Sequence, residues 1–165
     1  MTIRVLVADD QAMIRGALAG LLDLESDIEV VAQASDGARA LEELARLASA
    51  GGPARASAPV DVAIIDVEMP HMDGITATQA IRSRFPGVRV LIVTTFGRPG
   101  YLQRALDAGA TGFMVKDAPV EALADGVRTV AAGGRAVDQS LALEALSAGS
   151  SPLTDREADV LREVE

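Results

Sequence analysis

Short apolar runs recur five times along the chain, and each is too brief to favour a helix. They consist largely of valine, isoleucine, leucine and alanine. The runs are Ile3–Ala8, Ile28–Ala32, Val60–Ile65, Val88–Val93 and Gly112–Val115. Continuous apolar runs of this length are typical of strands that are buried on both faces, as in a parallel sheet. The sequence therefore predicts five buried strands.

The segments between these runs have helical spacing instead, because apolar residues recur in them at intervals of three and four. The clearest sets are Ile14, Leu18 and Leu21, then Leu41, Leu44 and Leu47, and later Leu123, Val127 and Val130. Segments 73–84 and 99–109 complete five helices. Strand and helix thus alternate five times. This alternation predicts an α/β fold of the flavodoxin-like type: a doubly wound, five-stranded parallel sheet with order 2-1-3-4-5 and five flanking helices.

The pattern changes after the fifth helix. Gly133-Gly134 is expected to end that helix, and a stretch of small residues follows it. At Thr154 a capping box, Thr154-Asp155-Arg156-Glu157, predicts the start of a new helix. We therefore expect a first domain over residues 1–132, a linker over 133–152, and the truncated start of a second domain over 153–165.

Composition narrows the class of protein. Charged residues interrupt every apolar stretch before it reaches the roughly 20 residues of a membrane span, and no export signal is visible, so we expect a cytoplasmic protein that does not enter membranes. Cysteine is absent, which excludes disulfides and thiolate metal sites. The formal net charge of −9 argues against DNA binding by this stretch itself, because phosphate contacts need clustered Lys and Arg.

Reactive side chains follow the predicted strands. Asp9-Asp10 follow the first strand, Asp66 the third, Thr94-Thr95 the fourth, and Lys116, the only lysine, the fifth. Ligands of open α/β sheets bind beyond the carboxyl ends of the strands, so these groups should share one site. Three carboxylates with a carbonyl oxygen suit Mg²⁺. An aspartate on a central strand could then attack phosphorus in line, while a lysine and a hydroxyl hold the phosphoryl oxygens.

Each of these residues also has an ordinary structural interpretation. Asp9 or Asp10 could cap the first helix, and Asp66 could be a turn residue. Thr94 could be a strand residue chosen for β-propensity, and Lys116 could be a solvated surface charge. Their convergence on one edge of the sheet favours a shared chemical function.

Several motifs resemble the receiver signature of response regulators over about residues 2–132. They are Val7-Ala8-Asp9-Asp10, Asp66-Val67-Glu68-Met69-Pro70 with Asp73-Gly74, Thr94-Thr95, and Gly112-Phe113-Met114-Val115-Lys116-Asp117. The stretch Ser151–Glu157 resembles the entry to the LuxR-type helix-turn-helix of the NarL/FixJ family. Within that family, the residues from Thr94 to Ala105 are most similar to the DesR-like regulators.

The resemblance implies a CheY-like receiver in a two-component system, which accepts phosphate and is not an enzyme in the usual sense. A sensor histidine kinase would donate the phosphoryl group to Asp66, with Lys116 and Thr94 assisting. Asp9, Asp10, Asp66 and the backbone carbonyl of Glu68 would hold Mg²⁺. Thr94 and Phe113 would form the conformational switch. Asp117 departs from the family, in which many receivers carry proline at that position.

The first helix carries a second apolar strip beside its predicted inward stripe. Its members are Met13, Ala17, Gly20 and Leu24. One stripe is enough to pack on the sheet, so we expect the second to form a two-fold homodimer on phosphorylation, with DNA bound only through the full-length protein. Two alternatives stay open: the strip packs on the fifth helix of the same chain, or the dimer uses the face of the fourth helix, fifth strand and fifth helix.

Two other classes compete with a phosphate-accepting receiver. A haloacid-dehalogenase-like phosphatase also phosphorylates an aspartate beside Mg²⁺, but such enzymes carry that aspartate on the first strand and have a longer chain with a cap. A pure scaffold with a vestigial acidic cluster is the other alternative. The joint presence of Asp66, Thr94 and Lys116 argues against it.

Overall fold

The computed structural model describes residues 2–95, 100–116 and 118–137. Asp117, most of the predicted linker and the predicted start of the second domain lie outside the described residues. Within the part of the chain that the structure describes, no helix combines the length and apolarity that crossing a bilayer requires.

The predicted alternation of strands and helices is confirmed, with strand ends that differ by at most two residues. The strands are β1 (Ile3–Ala8), β2 (Ile28–Ala34), β3 (Val62–Asp66), β4 (Arg89–Thr94), β5 (Gly112–Val115) and β6 (Ala136–Val137). The helices are α1 (Ala12–Asp23), α2 (Gly37–Ala50), α3 (Gly74–Arg84), α4 (Tyr101–Ala108) and α5 (Val120–Ala131). A single 3₁₀ turn, Pro53–Arg55, lies in the loop that follows α2.

All neighbouring strands are parallel, in the order β2-β1-β3-β4-β5-β6. Successive side chains of a strand point to opposite faces, so the sheet separates two cores. One core contains Leu6, Ile65 and Phe113 with residues of α2, α3 and α4. The other contains Val7 and Ile64 with residues of α1 and α5. The predicted flavodoxin-like fold is confirmed, and its strands end at one common edge.

The sheet contains a sixth strand that periodicity did not predict. After α5, Gly133 adopts a φ of +96° and reverses the chain, and Ala136 and Val137 then pair with Gly112 and Phe113 of β5. The Ala136 N–H donates to the Thr111 carbonyl at 3.0 Å. Two residues are too few to show a sequence period, so the pattern could not predict β6. The strand forms because β5 offers an open edge with which it can pair. The segment predicted as linker therefore begins inside the sheet.

Helix α1 is rotated relative to the prediction. Leu21, expected to face inward, is 43% exposed, while Ala19 and Leu22 are buried. Ile14 and Leu18 are half-buried at the margin of the contact. Apolar residues occur nearly all round α1, so spacing alone leaves several orientations equally plausible. Packing on the sheet selected the face that places small Ala19 beside Leu22.

The second apolar strip of α1 is exposed. Met13 is 87% and Leu24 is 79% exposed, and Ala17 and Gly20 are also exposed. Helix α5 of the same chain therefore does not cover the strip, and that alternative is wrong.

Candidate functional site

Three strands bring opposite charges together at the carboxyl edge of the sheet. Asp9 follows β1 and Asp66 ends β3; they are only 1% and 4% exposed. Lys116 follows β5, and its Nζ lies 2.7 Å from Asp9 Oδ2 and 3.0 Å from Asp66 Oδ2. One ammonium group thus bridges two buried carboxylates. The structure brings together residues that are up to 107 positions apart in sequence.

Asp9 is held by hydrogen bonds on three of its polar atoms. Its N–H donates to the Ala34 carbonyl at 3.0 Å, its Oδ1 accepts from the Gln11 N–H at 2.9 Å, and its carbonyl accepts from Arg15 Nη1 at 2.6 Å. Oδ2 is buried and accepts no well-directed hydrogen bond from the described residues, although the Lys116 ammonium lies close to it. Its described partner is therefore the Lys116 ammonium, at 2.7 Å.

The acidic groups fit a divalent cation. Asp9, Asp10 and Asp66 each offer an oxygen, and these oxygens lie within 4.8 Å of one another. Ligands of one Mg²⁺ ion lie at most about 4.2 Å apart, so a small contraction would suffice. Asp10 is exposed, which leaves a route from solvent. This set of carboxylates suits a hard, oxygen-preferring ion.

A cleft of about 190 Å³ opens onto the charged groups. It is lined by Asp10, Gln11, Asp66, Glu68, Thr95 and Lys116. The Glu68 N–H makes a long, 3.4 Å contact with Asp66 Oδ1, and Glu68 itself is exposed. A larger groove of about 460 Å³ shares Asp10 and Glu68 and extends to Tyr101 and Arg104 of α4. A donor molecule could therefore approach Asp66 from solvent.

Thr94 is the predicted hydroxyl, yet Thr95 is the residue of this segment that lines the cleft. Thr94 ends β4, is 4% exposed, and accepts the Lys116 N–H through its carbonyl at 2.8 Å. It is thus adjacent to the lysine through the β4–β5 pairing. Phe113, the predicted switch aromatic, is 1% exposed and pairs with Ile92 in the core beside α4. Its ring already lies inward in this structure.

Burial and charge act in opposite directions on the two ionised partners. Burial raises the pKa of Asp66 above its ordinary value, helped by the Asp9 carboxylate and opposed by the hydrogen bond and charge of Lys116. Burial alone would lower the pKa of Lys116, but its contacts with Asp9 and Asp66 outweigh burial and raise that pKa. The lysine therefore stays charged, and its single positive charge balances only one of the two carboxylates.

Two residues that position the site were not singled out by the sequence reasoning. Gly74 begins α3, and a Cβ at this position would overlap the carbonyl oxygen of Asp66. Its N–H donates to the Val67 carbonyl at 2.8 Å, which fixes the turn behind Asp66. Arg15 holds the Asp9 carbonyl. Gly74 appeared only as part of a family motif, and nothing in the spacing of Arg15 indicates a contact six residues back.

Comparison with known proteins gives consistent matches. Residues 5–128 match the response regulator receiver domain family. The transcriptional regulatory protein DesR of Bacillus subtilis is 40% identical over 159 residues, which cover 96% of this chain and 73% of DesR. The transcriptional regulatory protein YvfU of the same species is 38% identical over 160 residues, 97% of this chain and 74% of YvfU.

A solved structure agrees with these matches. The signal receiver domain of the putative response regulator NarL from Mycobacterium tuberculosis is 34% identical, with a TM-score of 0.70, over 80% of this chain and 98% of that domain. The candidate aspartate ends β3 and not the first strand, which argues against a phosphatase of the haloacid-dehalogenase type.

Gly74→Ala should destabilise the fold by about 2–3 kcal/mol, because the added methyl group forces α3 away from Asp66. Gly16→Ala is the matched control: Gly16 lies within α1, and no atom lies within 4 Å of an added Cβ. The free energy of unfolding of that variant should rise by about 0.5–1 kcal/mol, because alanine has a higher helix propensity than glycine. Urea unfolding measures both. If Gly74→Ala leaves the free energy of unfolding unchanged, the close approach of α3 to the Asp66 carbonyl is not required.

Asp66→Asn should be more stable than the natural chain near neutral pH in EDTA. Because the folded-state pKa of Asp66 is raised above 3.8, the folded chain binds this proton more tightly than the unfolded chain does. The associated stability is present below the ordinary pKa and is lost as pH rises through the raised value. The advantage of the asparagine variant should therefore grow as pH rises from about 4 toward neutrality.

Urea unfolding at a series of pH values measures this difference. Glu29→Gln, on the exposed side of edge strand β2, controls for the change in net charge. A stability difference between Asp66→Asn and the natural chain that does not vary with pH would contradict the raised pKa.

Proposed function

This chain belongs to the response regulator receiver family, and on that premise we propose that Asp66 accepts a phosphoryl group from a sensor histidine kinase. One observation carries the proposal. Asp66 is a buried carboxylate that faces a solvent cleft, with the Lys116 ammonium at 3.0 Å and oxygens of Asp9 and Asp10 within 4.8 Å. A nucleophile, a phosphoryl-binding cation and a metal-binding pair are the groups that phosphoryl transfer needs.

Asp9, Asp10, Asp66 and the Glu68 carbonyl would hold Mg²⁺ in this proposal. When bound, the ion neutralises charge on the phosphoryl oxygens and helps to orient the donor. The oxygens of Asp9, Asp10 and Asp66 that lie within 4.8 Å of one another support this assignment, because the single Lys116 ammonium leaves these carboxylates short of positive charge.

The covalent step requires no proton from this chain. A carboxylate oxygen of Asp66 attacks phosphorus, the phosphorus–nitrogen bond of the phosphohistidine breaks, and the imidazole leaves with the electron pair. Oδ2 of Asp66 is engaged by Lys116, whereas Oδ1 has only the long contact with the Glu68 N–H. Oδ1 is therefore the better candidate nucleophile. The product is an acyl phosphate, which hydrolysis can reverse.

Lys116 would change partners during the reaction. Its ammonium now lies between Asp9 and Asp66, and the arriving phosphoryl group offers it stronger, more highly charged oxygens. Moving the ammonium toward phosphate would release Asp9 Oδ2. The same residue would thus balance the charge of the carboxylates before transfer and bind the product afterwards.

Thr94 and Phe113 would transmit the change. Thr94 ends the strand that pairs with β5, and its carbonyl is already joined to the Lys116 N–H. A phosphoryl group that draws the Thr94 hydroxyl toward it would free space beside β4, and the inward position of Phe113 would then be favoured. Helix α4, which contributes residues to the same core as Phe113, is the element expected to respond.

The exposed strip of α1 is the surface that we propose for a homodimer. Met13 and Leu24 are large apolar side chains that solvent surrounds, and Ala17 lies between them. Gly16 and Gly20 lie on the same helix with open space where side chains would be. Exposed glycines within a helix cost stability, so close approach by a second α1 gives a reason for them.

The alternative dimer face is altered by β6. That strand pairs along the outer edge of β5, so a partner could not reach the β5 backbone in the α4–β5–α5 face without meeting Ala136 and Val137 first. DesR and YvfU are described as transcriptional regulatory proteins. We therefore propose that phosphorylation controls dimerisation, and through it transcription, by a DNA-binding part of the full-length protein.

Acetyl phosphate with Mg²⁺ should add one phosphoryl group to the natural chain and none to Asp66→Asn, because the nucleophile is missing. EDTA should prevent the reaction. Intact-mass spectrometry measures the product, and Asp107→Asn, an exposed carboxylate of α4, is the control that should react normally. Stoichiometric phosphorylation of Asp66→Asn would disprove the assignment. A natural chain that neither reacts nor binds Mg²⁺ would instead favour the scaffold class.

Beryllofluoride with Mg²⁺ should convert the natural chain from monomer to dimer, and Leu24→Arg should remain monomeric because it places a charge in the apolar strip. Sedimentation velocity measures the change. Gln103→Arg, on the exposed side of α4, is the matched control and should dimerise. Loss of dimer in Gln103→Arg with normal dimerisation of Leu24→Arg would move the interface to the α4 face.

A further inference from the structure

Arg15 reaches back from α1 to the turn that carries the acidic residues. Its side chain is half-buried, and its Nη1 donates to the Asp9 carbonyl oxygen at 2.6 Å. A hydrogen bond from a guanidinium is charge-assisted and short, and it is among the stronger contacts that a backbone carbonyl makes. The contact spans six residues and joins the first turn of α1 to the residue that follows β1.

The carbonyl that Arg15 holds belongs to the peptide bond between Asp9 and Asp10. The peptide unit is planar, so the orientation of the Asp9 carbonyl also sets the position of the Asp10 Cα atom and the direction of its side chain. The Asp9 side chain is fixed separately, through Oδ1 and the Gln11 N–H. No hydrogen bond from a described residue holds the exposed Asp10 carboxylate. Among the described residues, Arg15 is therefore the residue whose side chain bonds directly to the peptide that leads into Asp10.

We propose that Arg15 is a positioning residue for the divalent-cation site, acting through the Asp9–Asp10 peptide. This inference rests on the proposed function, since it concerns the same acidic cluster. Groups that orient metal ligands from the outer shell typically change metal affinity by about 10–100-fold when removed. Arg15 contacts no ligand oxygen of the cluster, so its effect is on geometry and not on coordination.

Arg15 exerts two opposing effects, and their signs differ. Its hydrogen bond pre-orients Asp10, which favours the cation, while its positive charge repels the cation. If charge dominated, a neutral variant would bind Mg²⁺ more tightly and a lysine variant would match the natural chain. If positioning dominates, the neutral variant binds more weakly. The sign of the change in affinity separates the two.

Calorimetric titration with Mg²⁺ alone tests the proposal. Arg15→Met should bind Mg²⁺ about tenfold more weakly than the natural chain, and Arg15→Lys, which keeps one donor, should lie within about threefold of it. Arg39→Ala is the matched control. Arg39 lines the same polar cleft as Arg15, but its side chain makes no described contact with Asp9, so affinity should change by less than about twofold.

The metal dependence of acetyl phosphate labelling supplies a second measurement. Saturating Mg²⁺ should restore the labelling rate of Arg15→Met, and only the Mg²⁺ concentration at half-maximal rate should rise. A general loss of structure would lower the maximal rate as well. If Arg15→Met does not fold, Arg15→Gln replaces it, and the same changes in Mg²⁺ affinity and half-maximal Mg²⁺ concentration are expected.

Affinity of Arg15→Met that equals or exceeds that of the natural chain would overturn the proposal, as would equal weakening in Arg39→Ala or no recovery in Arg15→Lys. If the natural chain binds no Mg²⁺, the proposed function fails by itself. Hydrogen exchange in the metal-free chain then decides about Arg15. Faster exchange of the Gln11 amide in Arg15→Met supports the positioning role, and unchanged exchange overturns it.

Discussion

Two buried carboxylates share one ammonium group, so the site lacks one positive charge. The rest of the site is organised around this deficit. Lys116 lies within 3.0 Å of both Asp9 and Asp66, while burial and the Asp9 charge make ionisation of Asp66 less favourable. An arrangement of this kind binds a further cation readily and responds strongly when a phosphoryl group adds charge. The same deficit that destabilises the isolated site thus prepares it for the proposed reaction.

The backbone supplies this arrangement because parallel strands end together. Asp9, Asp66 and Lys116 come from three strands of one sheet, so their relative positions are set by strand pairing and not by flexible loops. Two contacts refine the positions further. Gly74 lets α3 approach the Asp66 carbonyl, and Arg15 holds the Asp9 carbonyl from α1. Both contacts act on the main chain of the acidic residues, and neither occupies a carboxylate oxygen.

Structural elements on the two faces of the sheet connect the site to the dimerisation and transcriptional control that we propose. Phe113 lies on β5 between β4, the strand that Thr94 ends, and β6. The proposed phosphate site therefore lies close to the start of the chain segment that follows the domain. On the opposite face of the sheet, α1 begins three residues after Asp9 and carries the exposed strip from Met13 to Leu24. Helix α1 thus belongs both to the acidic turn and to the proposed dimer surface.

The sequence by itself determined the alternation of elements, the strand order and the groups at the strand ends, because buried parallel strands appear as continuous apolar runs and amphipathic helices as apolar residues three and four apart. It did not determine the rotation of α1, since apolar residues all round a helix fit several orientations and only packing on the sheet selected Leu22 over Leu21. Strand β6 and the Arg15 contact were equally hidden. Both depend on the local shape of neighbouring elements, which a linear pattern does not encode, and so only the tertiary structure decided them.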